Sequence, residues 1–566
     1  MPGVTPLPQG RHRRVWPALG YTALVACGIV VSVGPAALAW RNGFMAWDPP
    51  YRSAVPVGDH LYNTYALWLW QHALKFGHSP WWDVFQFGAG GSSSHHPFGW
   101  PIVLIFLPVA AIAGPVAGYN AVCFFGFFAA AGATWLLVRE LGLSRHAAAV
   151  AGFAFAFAPY RLVQSATHLN ALLAWLLPLL LFFMERALTG PDDRRARLAA
   201  WAAAVVGVSV VGSGELHLAV FAALLIGGYA IARLPYSSRG RVRLLLLPGV
   251  ALAAGTVTVG SLIYQMVLAP SVAAGGRGSE VAAHFAPRLA DLARRTLQWD
   301  SFERYAYPGT VIALGACAGA IALFHRRRQR FFAVCLLAGI GLAWALAITP
   351  SMLEFPSLQS AYRLVPFLSF SRVPGRILIV SALLLAVLLA YAVDALSSGR
   401  WRSGVAAALI VGIMLDTPGG VFHYAAAGSG LPAPIPRDAT VLDLPPFDHG
   451  HFSGSGYAFE IARTPAARVG GYTPFISAAA HRRQQSTVPL MSFDVDPCAW
   501  AAAIERLRID HVVIHLDLFG DHRLQWDGDG AELADALVDR AGFAVKGADA
   551  HMIVLILGEG PPCARP

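Results

Sequence analysis

The chain reads as an α-helical polytopic membrane protein with about eleven transmembrane helices and a small extracytoplasmic α/β domain at its C-terminus. Three observations predict this. Of 566 residues, 56% are hydrophobic and 13% charged, whereas an ordinary soluble domain is about 25% charged. Apolar runs of about 20 residues, the length that crosses a hydrocarbon core, recur as far as residue 418, and the mean hydropathy is +0.53. Short Arg-rich loops separate those runs, as the positive-inside rule produces.

Arg11-His12-Arg13-Arg14 precedes the first run, residues 19–40, so the N-terminus is expected in the cytoplasm and the chain from Arg41 outside. Ala37-Leu38-Ala39 resembles a signal-peptidase site, but the hydrophobic region is long for a signal sequence and is read as an uncleaved span. Cytoplasmic loops follow at 139–146, 185–197, 233–243, 325–330 and 397–402. Outward segments at 159–170, 212–217, 269–308 and 349–376 alternate with them, and the last span, 405–415, leads outward. Residues 101–115 are apolar but short, hence interfacial or re-entrant. Counting them as a span would invert every later Arg cluster.

After about Asp416 the texture changes. Helical patterns at 497–507 and 531–541 alternate with compact β-branched or aliphatic runs at 511–515 and 552–557, the pattern of a small α/β domain. The division is therefore 1–418 for the transmembrane region, with 41–117 its first outward loop, and 419–566 for the extracytoplasmic domain. Cys27, Cys123, Cys317 and Cys335 lie in apolar runs as small packing residues. Cys498 and Cys563 lie in the polar C-terminal region and are able to pair in an oxidising compartment, a pairing that spacing leaves open.

The net charge of +10 does not indicate nucleic acid. Its arginines sit in short loops, Lys75 and Lys546 are the only lysines, and no continuous basic face is present.

Charged and imidazole groups near membrane depth are costly and mark function. The outward segments hold Asp48, Asp59 and His60; Asp83; His95 and His96; His168; Glu215 and His217; Arg277, Glu280, His284 and Arg288; and Arg363, Arg372 and Arg376. Carboxylates and imidazoles serve acid/base work, and arginines meet anions. Gly58-Asp59 ahead of an amphipathic pattern leaves two readings open for Asp59: a helix N-cap, or a reactive carboxylate. Asp48 precedes Pro49-Pro50 and reads first as a loop former. Asp83 follows Trp81-Trp82 and reads as interfacial anchoring. Residues 88–94, GAGGSSS, lack the ending of a phosphate-binding loop. His95-His96 have no third ligand at metal spacing.

The order of these features resembles the GT-C superfamily of membrane glycosyltransferases. One span leads to a long outward loop with an acidic residue near its start and interfacial stretches at 62–76 and 101–115. The span 119–137 ends at Arg139-Glu140-Leu141-Gly142-Leu143-Ser144-Arg145-His146 and an Ala-rich stretch, 147–158. This is similar to the matching region of bacterial aminoarabinose and protein mannosyl transferases. The resemblance implies inverting transfer of a sugar from a polyprenyl-phosphate donor in the bilayer to an extracytoplasmic acceptor. By position Asp59 would be the general base, with Asp48 second. Arg363, Arg372 and Arg376 would meet the phosphate, supported by His60, His168, Glu215 and His217. A divalent cation is the one cofactor the resemblance raises, but the family's second adjacent carboxylate is replaced by His60. Two other classes stay open: a secondary transporter, and a non-catalytic envelope assembly protein.

Overall fold

Backbone in hydrocarbon must satisfy its own N–H and C=O groups, so the apolar runs fold as helices. The computed structural model describes residues 15–38, 40–46, 58–77, 83–87, 99–190, 192–213, 215–237, 239–268, 279–297, 302–349, 373–396, 401–426, 430–446, 454–472, 482–483, 486–487, 497–519 and 529–558. The membrane region comprises α1 (Val15–Val33), β1 (Gly43–Ala46), α2 (Asp59–Phe76), α3 (Trp100–Ala113), α4 (Pro115–Glu140), α5 (Arg145–Ala156), α6 (Pro159–Ser165), α7 (Leu169–Leu173), α8 (Leu176–Thr189), α9 (Asp193–Gly212) and α10 (Leu216–Arg233). It continues through α11 (Arg239–Arg243), α12 (Leu246–Leu268), α13 (Ser279–Phe285), α14 (Thr310–His325), α15 (Arg330–Ile348), α16 (Leu378–Leu396) and α17 (Trp401–Asp416) to β2 (His423–Ala426).

Six described helices are long and apolar enough to cross a membrane, or seven if α5 and α6, bent by 46°, form one span. The sequence expectation was about eleven; 19–33, 100–113 and 310–325 are apolar but shorter. The 14 residues of α3 rise about 21 Å, less than a hydrocarbon core of about 30 Å, and α3 packs on α4 and α2.

Strand β1 pairs antiparallel with β2, Gly43 opposite Ala426 and Ala46 opposite His423. The ladder holds the segment after α1 beside the segment after α17. Helices α14 and α16 approach closely through Gly315 and Gly319, a small-xxx-small pair. A Cβ at Gly319 would run into the Leu388 carbonyl, and one at Gly315 into the Leu389 side chain.

The C-terminal region contains β3 (Thr440–Leu444), α18 (Gly454–Arg463), β4 (Ala467–Arg468), α19 (Pro497–Leu507), β5 (His511–His515), α20 (Gly530–Ala541), β6 (Phe543–Ala548) and β7 (Met552–Leu557). The sheet order is β4-β3-β5-β7-β6. β3 is parallel to β4 and β5, and the remaining pairs are antiparallel. Leu442, Leu444, Val512, Ile514 and Leu555 pack with Trp500, Ile504, Leu533 and Leu537 of the helices to form its core. Helix α18 packs on α2, with Phe459 edge-on to Phe44 at 5.2 Å.

Close packing at Gly319 makes a definite prediction. Gly319→Val should destabilise the bundle by about 1–3 kcal/mol through overpacking. Gly341→Ala, at a position with no atom within 4 Å of an added Cβ, should stay within about 0.5 kcal/mol of the parent. Thermal unfolding of the purified variants in detergent measures both.

Candidate active site

Helix α2 begins at a glycine cap, one residue before Asp59. Gly58 occupies the N-cap position with φ 146°, and no side chain caps the helix. A Cβ there would lie 2.8 Å from the His60 ring, so glycine is required both for its backbone angle and for space. Its N–H donates to Ser455 Oγ at 2.9 Å. Asp59 is therefore the first helical residue, and the capping reading of its carboxylate is corrected. Oδ1 accepts from the Tyr472 hydroxyl at 2.8 Å, and Oδ2 lies 3.2 Å from His168 Nδ1.

His168 is placed by the break between α5 and α6. Pro159 starts α6, where its missing N–H and fixed φ suit a new helix. The buried Arg161 guanidinium donates to Ala156 O at 2.7 Å and Gly126 O at 3.0 Å, satisfying carbonyls around that break. The turn after α6 closes with His168 N–H donating to Gln164 O at 2.9 Å. The imidazole then bridges two carboxylates, with Nε2 3.2 Å from Glu303 Oε1. Glu303 Oε1 in turn lies 3.8 Å from Arg376 Nη2. His168 is 7% exposed and Asp59 32%, so the imidazole is enclosed while the carboxylate keeps an open side. Burial alone would lower the His168 pKa; the neighbouring Glu303 and Asp59 carboxylates overcome it, against Arg376, and the net direction is upward.

Arg376 enters from the turn ahead of α16. Tyr160 donates its hydroxyl to Gly375 O at 2.6 Å, which fixes that turn. Arg376 Nε has no hydrogen-bond partner among the described residues. Glu215, at the start of α10, lies within electrostatic reach of Arg376, His168 and Asp59; burial chiefly, together with Asp59, raises its pKa against the two cations. Loops far apart in sequence thus converge at one end of the bundle.

The expected site residues divide accordingly. Asp59, His168, Glu215 and Arg376 come together. His217 is half-buried beside Phe221. His60 does not join the group in the manner expected of a phosphate ligand. Its ring is enclosed by Phe44 and Tyr119, both nitrogens are buried without partners among the described residues, and burial lowers its pKa to about 4 against the pull of Asp59. Asp83 is a buried acceptor rather than an interfacial anchor: it receives the Tyr65 hydroxyl at 2.7 Å, Phe85 N at 2.8 Å and Gln86 Nε2 at 2.7 Å. Asp48, His95, His96, Arg277, Arg363, Arg372 and Cys563 lie outside the described residues, as do the side chains of Glu280 and Cys498.

Sequence reading missed Glu303 and Tyr472. Glu303 had a signal, an acidic residue in outward segment 269–308 between Phe302 and Tyr305. Tyr472 had none, because 413 residues separate it from Asp59. Among the described residues no group of three or more His, Cys, Asp or Glu is disposed to hold a metal.

No protein-family model and no curated protein matches the sequence. Solved structures match the fold. The oligosaccharyltransferase of Archaeoglobus fulgidus in its apo form superposes with a TM-score of 0.50 and 12% identity, over 93% of this chain and 73% of that one. The same enzyme tethered to an acceptor peptide gives 0.50 and 14%, over 92% and 72%. The arabinofuranosyltransferase AftD from Mycobacteria gives 0.58 and 14%, over 97% of this chain but only 40% of AftD. The chain has the fold of the GT-C glycosyltransferases.

Proposed function

We propose that the protein is an integral-membrane glycosyltransferase that moves a sugar from a polyprenyl-phosphate donor to an extracytoplasmic hydroxyl acceptor with inversion. The carrying observation is the Asp59 carboxylate, released from helix capping and held against His168 in a cluster that also contains Arg376. The acceptor is an envelope glycan, lipid or protein.

In this reading the open side of Asp59 takes the proton of the acceptor hydroxyl. The acceptor oxygen attacks the anomeric carbon from the face opposite the lipid phosphate, and the sugar–phosphate bond breaks with the electron pair passing to phosphate. Charge grows on that leaving group, and Arg376 stabilises it through donors that include Nε, which has no partner among the described residues. Glu303 spaces the two cations, holding His168 at one oxygen within 3.8 Å of Arg376. A donor with a lipid tail accounts for a catalytic centre at the end of a helical bundle.

The N-terminus is assigned to the cytoplasm of a plasma or inner membrane by Arg11 to Arg14. The site and the C-terminal domain then lie outside, together with the exits of α1 and α17. The β1–β2 ladder and the bond from Tyr472 to Asp59 support that common face.

Transfer is tested with purified protein in nanodiscs, a panel of synthetic polyprenyl-phosphate pentoses and hexoses, and envelope extract as acceptor, reading released polyprenyl phosphate. Asp59→Asn should lower turnover by about 10²–10⁴, the usual worth of a general base. Arg376→Ala should lower it by about 10²–10³. Solute uptake into proteoliposomes without any transfer would instead favour a transporter.

The raised His168 pKa sets a second test. A group whose pKa rises on folding stabilises fully below its unfolded value, about 6.5, and loses that contribution as pH climbs through the folded value. Wild-type thermal stability should therefore fall as the pH rises above about 6.5, and the His168→Gln variant should be flatter there. Parallel slopes would mean that the imidazolium is not held by its two carboxylates.

A further inference from the structure

We propose that Tyr472 is a positioning residue for Asp59, so that the C-terminal domain completes the transfer centre of the membrane region. This deepens, and rests on, the reading of Asp59 as the base. The observation is the contact from the Tyr472 hydroxyl to Asp59 Oδ1, made by a segment whose path is defined from both sides.

On the sheet side, the segment leaves β4. Val469 N–H donates to Val441 O at 2.9 Å, and the Arg468 side chain, 1% exposed, is anchored on Asp443 at 2.8 Å. Asp443 also faces His515 at 3.1 Å. On the membrane side, residues 83–87 receive the segment like a short added strand. Arg468 N–H donates to Phe85 O at 2.6 Å, and Phe87 N–H to Gly470 O at 3.1 Å. Tyr472 N–H donates to Gln86 Oε1 at 2.6 Å. The other end of that amide, Gln86 Nε2, is held by Asp83, which also receives the Tyr65 hydroxyl of α2. Gly471 has no room for a side chain, since a Cβ would lie 2.6 Å from Gln86 Oε1 and 2.8 Å from Phe87 Cζ. The Tyr472 ring stands edge-on to Tyr62, 5.1 Å away.

A carboxylate on one helical residue turns about its Cβ–Cγ bond. With His168 at Oδ2 and Tyr472 at Oδ1, both oxygens are engaged and the plane of the group is set. Removing the hydroxyl leaves only the imidazole side of that clamp. It also removes a donor that favours the ionised carboxylate, so the group should hold its proton to higher pH. Among the described residues, His60 on its own helix, Tyr119 on α4, His168, Glu215 and Arg376 are titratable groups within reach of Asp59, with Glu303 behind His168, and the Tyr472 variants alter none of them.

Infrared difference titration of the full-length protein in nanodiscs reads this contact without a substrate. The protonated-carboxyl band lost in Asp59→Asn identifies Asp59. In Tyr472→Phe the midpoint of that band should move about one unit toward higher pH. Incorporation of 3-fluorotyrosine at position 472, a stronger donor of nearly the same size, should move it toward lower pH and carries the test should Tyr472→Phe not fold. In the polyprenyl-phosphate transfer assay, Tyr472→Phe should lower kcat about 10- to 100-fold with little change in donor KM. An unmoved midpoint with both substitutions, while Asp59→Asn is inactive, overturns the positioning role and leaves the base reading intact. Transfer that survives Asp59→Asn overturns the base reading, and the positioning role with it, whatever the band does.

Discussion

The bridge that His168 makes between Asp59 and Glu303 is the contact on which the site depends. An isolated charge withdrawn from water costs several kcal/mol, and partners must repay it. Here Asp59, His168, Glu303 and Arg376 come from the start of α2, the turn after α6, the loop before α14 and the turn ahead of α16. Side-chain donors tie these loops together, Asn63 Nδ2 to Thr167 O at 3.2 Å and the Tyr160 hydroxyl to Gly375 O at 2.6 Å. The charges give them a common position, because moving one loop away strands a buried ion of the opposite sign. A cluster assembled that way is also a prepared electrostatic environment, with a carboxylate and a guanidinium fixed in place.

Around that cluster the fold supplies two kinds of support. Within the membrane region, small residues bring backbones together, as Gly319 does against α16, and buried donors satisfy helix breaks, as Arg161 does between α5 and α6. Between the membrane region and the C-terminal sheet, a polar path adds to the apolar packing of α18 on α2. Tyr65, Asp83 and Gln86 form a continuous hydrogen-bonded path that ends on the backbone of Tyr472. Asp83 matters to the site although it touches no member of the charge cluster among the contacts described above, since it orients the amide that receives the C-terminal segment.

Much of this was legible in the sequence, for a physical reason. Membrane topology sorts residues by side, and sidedness alone grouped Asp59, His168, Glu215 and Arg376, which the fold then gathers. Other features lay beyond local pattern. Gly58-Asp59 reads as a cap because both residue types favour that position, yet the glycine takes it and the carboxylate turns elsewhere. Asp83 beside Trp81-Trp82 suggests the bilayer interface, but four donors from Tyr65, Phe85 and Gln86 bury it. Glu303 sits in a segment already marked as outward, between Phe302 and Arg304, with no local motif that sets it apart. Tyr472 was invisible, because nothing in a Gly-Gly-Tyr-Thr-Pro stretch announces a partner 413 residues away. Span counting suffers from a related problem: short or bent helices cross less hydrocarbon than their apolar runs suggest, so composition and geometry count differently.

The central claim is that donor phosphate and catalytic carboxylate meet at this cluster. A structure of the protein bound to a non-hydrolysable phosphonate analogue of a polyprenyl-phosphate sugar tests it most directly. The account predicts the phosphonate against the Arg376 guanidinium, the lipid tail leaving toward the bilayer, and the anomeric carbon open on its far face to the exposed side of Asp59. A phosphonate seated elsewhere, or an anomeric carbon with no approach from Asp59, would contradict it.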